Sequence, residues 1–171
     1  LTALPASLCR LQALKELGLA KRALAPLTEV GVNLHWYAGV DPDPTFAHVM
    51  EGADVLRSAG CTAIVAVGGG SSMDAAKIIA CTRTSDESPD KWVGLNRVPD
   101  DVLPIYAIPT TSGTGSEATM GAVIKDPEEQ LKHIIVGEDL LPRAVALDAD
   151  LLLGLPAPVT AATGIDALTH G

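Results

Sequence analysis

The sequence predicts an α/β fold built on a mainly parallel sheet, and three observations carry that prediction. Two short runs, 63–67 (AIVAV) and 104–108 (PIYAI), are continuously apolar, as strands buried on both faces of a parallel sheet are. Each run ends in a loop rich in Gly, Ser and Thr, at 68–72 and at 109–116. Helical and extended patterns alternate along the rest of the chain, which places helices across the faces of one sheet.

The elements follow in order. Residues 1–8 (LTALPASL) form at best a weak strand, and Pro5, which has no N–H for the ladder, confines it to an edge or a loop. Residues 10–30 space Leu11, Leu14, Leu17, Leu24 and Leu27 at mostly helical intervals. Gly18 is expected to break or cap that helix, and Pro26 to start a later one or kink it. Residues 33–37 (NLHWY) read as a strand and Asp41-Pro-Asp-Pro44 as a turn. Thr45 caps a helix running to about Ala59, with Val49, Ala53 and Leu56 on its buried face. After the strand at 63–67, Ser71 or Ser72 opens a second helix through Asp74, Ala75, Ala76, Ile78 and Ile79. Residues 119–125 and 131–136 flank Asp126-Pro-Glu-Glu-Gln130 and read as a β-hairpin. A strand at 144–147, a Pro-rich linker at 155–158 and a helix from Thr160 to His170 complete the reading.

Composition excludes several function classes. The chain has 171 residues, 12 Lys and Arg against 21 Asp and Glu, and a net charge of −9. Such an acidic chain lacks the basic footprint of a nucleic-acid binder or of a protein held on anionic lipid. Only five residues are aromatic, which leaves little to stack on bases. No apolar run approaches the ~18 residues that a membrane helix needs. Arg10, Lys15 and Glu16 interrupt the N-terminal apolar stretch, unlike a secretory leader. The three cysteines, Cys9, Cys61 and Cys81, are odd in number and widely spaced, and are expected to be reduced residues of a cytoplasmic protein.

Three constellations carry chemistry. Gly68-Gly-Gly-Ser-Ser-Met-Asp74 lies between a buried strand and a helix. A helix N-terminus offers unpaired N–H groups and partial positive charge to a phosphate, and glycines allow close approach. Asp74 is expected in the first helical turn, facing a ribose or an amide. The pattern is not the GxGxxG fingerprint, and a tight turn that binds nothing is the plain alternative. Pro109-Thr-Thr-Ser-Gly-Thr-Gly-Ser-Glu117 supplies hydroxyls and glycines just past the second buried strand, where ligands of open α/β sheets sit; a polar surface loop is its alternative. Asp166-Ala-Leu-Thr-His170 puts a carboxylate and an imidazole on one helical face, suited either to a divalent ion or to a plain side-chain hydrogen bond. Lys132 on the hairpin is read as an exposed lysine. His35, His48 and His133 have no partner visible in the sequence. Trp36 and Trp92 are read as packing residues.

The segments GGGSSMDAAK (68–77), PTTSGTGSEAT (109–119) and ATGIDALTHG (162–171), in that order, resemble the iron-containing alcohol dehydrogenases. The resemblance runs from about Gly18 to Gly171. It implies a Rossmann-like N-terminal dinucleotide-binding domain, here residues 1–154, and the start of an all-helical metal-binding domain at residues 155–171. Residue by residue it implies that Gly69, Gly70, Ser71 and Asp74 hold the pyrophosphate, and that Thr110, Thr111 and Thr114 form a second cofactor loop. Val123 and Lys132 fall at positions near the nicotinamide ribose, and Asp43 at one near the adenine. Asp166 and His170 match the first two ligands of a metal that the family holds with one Asp and three His. The cofactors implied are NAD or NADP and Fe2+ or Zn2+.

The expected function is therefore an NAD(P)-dependent, metal-dependent alcohol dehydrogenase or aldehyde reductase acting on a small alcohol or aldehyde. It is expected as a fragment, from a protein forming a homodimer or higher homo-oligomer, with neither nucleic acid nor membrane as partner. No residue stands out as a general acid or base. A catalytically inactive nucleotide-binding remnant is the alternative of a different class. A phosphotransferase using the glycine triplet is disfavoured by the lack of a Gly-Lys-Ser/Thr phosphate loop.

Overall fold

The computed structural model describes residues 7–11, 17–85 and 87–170, with the side chains of residues 7–11, 17 and 170 outside that description. Strands β1 (Ser7–Leu11), β2 (Asn33–Tyr37), β3 (Ala63–Gly68), β5 (Ile105–Pro109) and β8 (Ala144–Val145) form one sheet in the order β2-β1-β3-β5-β8. All four pairings are parallel, with Leu8 opposite Ala63 and Ile64 opposite Ile105. A second sheet, β4-β7-β6, is built from the antiparallel hairpin β6 (Gly121–Asp126) and β7 (Leu131–Val136), with the two-residue β4 (Gly94–Leu95) parallel to β7.

Helices α1 (Leu17–Glu29), α2 (Phe46–Ser58) and α3 (Gly70–Cys81) cross over between parallel strands, and α4 (Ala157–His170) ends the described chain. Strand β3 shows why its run is apolar throughout. Ala63, Val65 and Val67 pack into the smaller core with Ala20 and Leu24 of α1. Ile64 and Ala66 point the other way, into the main core with α2, α3 and the hairpin. Alternate residues face opposite sides of a strand, so burial of both faces demands an unbroken apolar run. Helix α3 is apolar nearly all round for the same reason: it packs on β3 and on β6, and nine of its side chains, from Ser72 to Cys81, are buried.

Five local expectations are corrected. The N-terminal strand is not at an edge: β1 lies between β2 and β3. It begins two residues past Pro5, so every ladder position keeps its N–H. Gly18 does not break α1 but sits in its first turn, where no intrahelical N–H bond is yet required. Pro26 lies inside α1 rather than at the start of a later helix. Helix α4 begins at Ala157 rather than Thr160, because Pro158 falls in a first turn that tolerates it. Cys61 is disulfide-bonded, whereas Cys81 is free and buried; linear spacing does not reveal which residues meet in space.

The Thr45 cap forms as expected, with an unexpected partner. The His48 N–H donates to Thr45 Oγ1 and the Thr45 N–H donates back to His48 Nδ1, both at 3.3 Å. A histidine thus closes the capping box usually completed by Glu or Gln. Trp92 is 1% exposed and belongs to the main core. No helix among the described residues is long and apolar enough to cross a membrane.

Candidate functional site

Strands β3 and β5 are neighbours and parallel, so the loops leaving their carboxyl ends emerge side by side. The Thr110 N–H donates to the Gly68 carbonyl at 2.9 Å and stitches the two loops together at their roots. Gly69 is the N-cap of α3, in an extended conformation with no side-chain cap. The first-turn amides of α3 therefore point out of the sheet edge, in the arrangement that receives anions.

The two loops touch. A methyl group added at Gly69 would lie 3.1 Å from Thr111 Oγ1, and one at Gly70 would lie 3.2 Å from Thr114 Cβ. The threonines of the second loop thus lie over the glycines of the first. Thr110 Oγ1 and Thr111 Oγ1 are buried and have no hydrogen-bond partner among the described residues. Buried hydroxyls without partners are costly, and here they lie at the crevice where a ligand of an open α/β sheet binds. Beyond Thr111, Ser112 and Gly113 border a cleft of about 360 Å3 closed on its far side by Leu147, Asp148 and Leu152.

Asp74 departs from its expected place. It lies beyond the first turn of α3 and both of its carboxylate oxygens are taken. Ser116 Oγ donates to one at 2.6 Å and the Val123 N–H donates to the other at 3.0 Å. Burial raises its pKa above the ordinary 3.8, opposed by those two hydrogen bonds and by Lys77. Asp74 thus joins α3 to the second loop and the hairpin. Val123 enters the site through its backbone.

Lys77 was not singled out from the sequence. It is fully buried. Its ammonium donates to the carbonyls of Ser116 at 2.8 Å, Thr119 at 2.9 Å and Gly121 at 2.7 Å. Burial pulls its pKa down from 10.5 to about 8, against the charges of Asp74 and Glu117. The sequence did carry a signal: a lone lysine inside the apolar run 75–80, on a helix buried all round.

Asp43 and Lys132 are brought together across 89 residues of sequence, with Nζ 2.6 Å from Asp43 Oδ1. The pair is half-exposed, and the hydrogen bond from Lys132 lowers the Asp43 pKa. The resemblance assigned these residues to opposite ends of a dinucleotide; the structure pairs them with each other. His133 also gains partners. Its Nε2 lies 3.5 Å from Glu129 Oε2 and 3.8 Å from Asp126 Oδ2, and its ring stacks at a tilt near Phe46.

Helix α4 abuts the second loop. A methyl at Gly113 would land on the Thr163 carbonyl oxygen and 3.1 Å from the Ala167 nitrogen. Thr163, Asp166, Ala167 and His170 occupy one side of a helix by their three- and four-residue spacing. Asp166 is half-buried; the His170 side chain lies outside the described residues.

The model of the iron-containing alcohol dehydrogenases matches residues 7–149 of this chain. The chain belongs to that family. Within it, the chain is 38% identical over 153 residues to an NAD-dependent methanol dehydrogenase of Bacillus methanolicus, covering 90% of this chain and 40% of the relative. It is 39% identical over 160 residues to a 1,3-propanediol dehydrogenase of Citrobacter freundii, covering 94% and 41%. A crystal structure of a 1,3-propanediol oxidoreductase superposes with a TM-score of 0.92 at 35% identity, covering 97% of this chain and 44% of that one. The iron-containing alcohol dehydrogenase fold is thus present in its N-terminal, Rossmann-like part, and the chain spans less than half the length of the relatives it matches.

Proposed function

We propose that this chain is the dinucleotide-binding part of an NAD(P)-dependent alcohol dehydrogenase, which moves hydride between a small alcohol and its aldehyde or ketone. The observation that carries the reading is the pair of touching loops. Glycine backbone lies on one side, and on the other are threonines whose buried Thr110 and Thr111 hydroxyls lack partners. A pyrophosphate fits these residues. Its oxygens would accept from the first-turn amides of α3 and from Ser71, while the threonine hydroxyls gain partners from the same ligand. Lys132 and Asp43, already paired, would hold one sugar of the dinucleotide; Lys132 suits a hydroxyl oxygen or a phosphate, and Asp43 suits a ribose hydroxyl.

When bound, the nicotinamide ring supplies the hydride acceptor or donor. The protein's part is to fix that ring by fixing the pyrophosphate and ribose behind it. Asp166 and His170 have the donor chemistry for a divalent cation, Fe2+ or Zn2+, which would supply Lewis acidity toward the substrate oxygen. Two ligands fall short of the roughly three protein ligands of a catalytic site. The substrate class, the homo-oligomeric assembly and the metal belong to this proposal.

The test is titration of the chain with NADH and NADPH, followed by nucleotide fluorescence, with ATP as competitor. Saturable binding of either nicotinamide nucleotide, abolished by Gly70→Val, supports the reading. Binding of ATP alone revives the phosphotransferase, and binding of none of the three removes the nucleotide reading.

A further inference from the structure

Resting on the dinucleotide reading above, we propose that Lys77 is a positioning residue for the cofactor, its buried ammonium acting as the post that fixes residues 116–121 of the second loop. The stoichiometry is the first argument. An ammonium has three N–H donors and no acceptor. Three carbonyls, those of Ser116, Thr119 and Gly121, converge on it within 2.7–2.9 Å, and the hydroxyl oxygens of Ser116 and Thr119 lie at 3.2 Å. Backbone carbonyls normally find partners in helices and sheets. Here three of them, in a segment passing from loop to strand, are gathered by a single side chain.

Geometry supplies the second argument. Asp74 is one helical turn from Lys77 on α3 and holds the donors of the same segment, the Ser116 hydroxyl and the Val123 N–H. Acceptors go to the lysine and donors to the aspartate. The segment is thereby anchored to the helix whose own N-terminus is the first cofactor loop. One rigid helix sets the separation of both loops, and with it the placement of Thr111 over Gly69 and Thr114 over Gly70. The hydrogen bonds of Lys77 go to Ser116, Thr119 and Gly121, so it acts through the loop.

Proton dependence follows from the donor count. A neutral amine has two N–H groups for three carbonyls, so one carbonyl is released. The charged groups facing the ammonium are Asp74 on its own helix and Glu117 in the loop, while β6 presents the Gly121 carbonyl.

The experiment compares the unmodified chain with Lys77→Met, which keeps the length of the side chain and removes every donor, and with Lys91→Met, the same change at an exposed lysine. Amide exchange is read across 116–123, and the NADH dissociation constant is measured from pH 6.5 to 9.5. Lys77→Met is expected to speed exchange in that segment at least tenfold and to weaken NADH binding at least tenfold, with β3 and β5 unchanged. Lys91→Met is expected to change binding less than about threefold. In the unmodified chain, NADH binding weakens as pH rises through about 8, where Lys77 loses its proton. If Lys77→Met fails to fold, this pH profile decides. NADH binding that is flat across pH 6.5–9.5, or a folded Lys77→Met chain with native loop exchange and affinity, overturns the proposal alone. Absence of NADH binding by the unmodified chain overturns the nucleotide reading, and the cofactor role of Lys77 with it.

Discussion

Two glycines in the second loop should respond very differently to the same added methyl group. Gly113 has φ +131 and Gly115 has φ +64. At Gly115 the space beyond Cα is open, so alanine there meets only the left-handed backbone penalty, about 1–2 kcal/mol. Gly113 sits in a region that L-residues scarcely occupy, worth about 1–3 kcal/mol. Its methyl would also land on the Thr163 carbonyl and beside the Ala167 nitrogen, both backbone atoms that cannot rotate away. Overpacking of that kind adds about 1–3 kcal/mol, giving about 2–6 in all. The upper end is not reached, because α4 is mostly exposed and yields first. Gly113→Ala is therefore expected to cost about 2–4 kcal/mol, which at a urea m-value of about 2 kcal/mol/M lowers the midpoint by about 1–2 M. Gly115→Ala should lower it by about half as much. Amide exchange should show α4 opening in Gly113→Ala and not in Gly115→Ala. Equal losses from the two substitutions, or native protection of α4 in Gly113→Ala, would refute the close approach of loop and helix.

Three further outcomes are expected. Thr45→Ala removes an N-cap and should cost about 1 kcal/mol in chemical denaturation, with exchange rising first in the opening turn of α2. Lys132→Ala breaks an exposed ion pair and should cost less than about 1 kcal/mol of stability while weakening NADH binding several-fold, so that denaturation and titration separate its two roles. Stability should rise with pH between about 8 and 9, because Lys77 gives up its proton near 8 when folded and near 10.5 when unfolded, so the unfolded chain holds more protons there. Above about 9 the buried Cys81 thiol cancels the rise: its pKa is pushed up to about 12, so the folded chain retains one proton that the unfolded chain loses, offsetting the one it gives up at Lys77. A series of denaturation curves from pH 7 to 10 checks the sign, and Lys77→Met should abolish the rise.

The sequence determined what depends on local pattern. Unbroken apolar runs announced β3, buried on both faces, and β5, buried on one face and half-buried on the other. Thr45 announced the start of α2, and Asp126-Pro-Glu-Glu-Gln130 the turn between β6 and β7, where Asp126 Oδ1 accepts the N–H groups of Glu128 and Glu129. Both glycine- and threonine-rich loops were legible, because strand, loop and helix follow one another in the chain. Tertiary structure decided what depends on pairing between distant segments. It put β1 inside the sheet, where its weak local pattern is outweighed by ladders on both sides. It tied Asp74 to Ser116 and Val123, and it joined Asp43 to Lys132. Above all it made Lys77 intelligible. A charged side chain survives in an apolar core only when acceptors surround it, and its acceptors lie 39 to 44 residues further along the chain. No local pattern could supply them; only the packing of α3 against the second loop does.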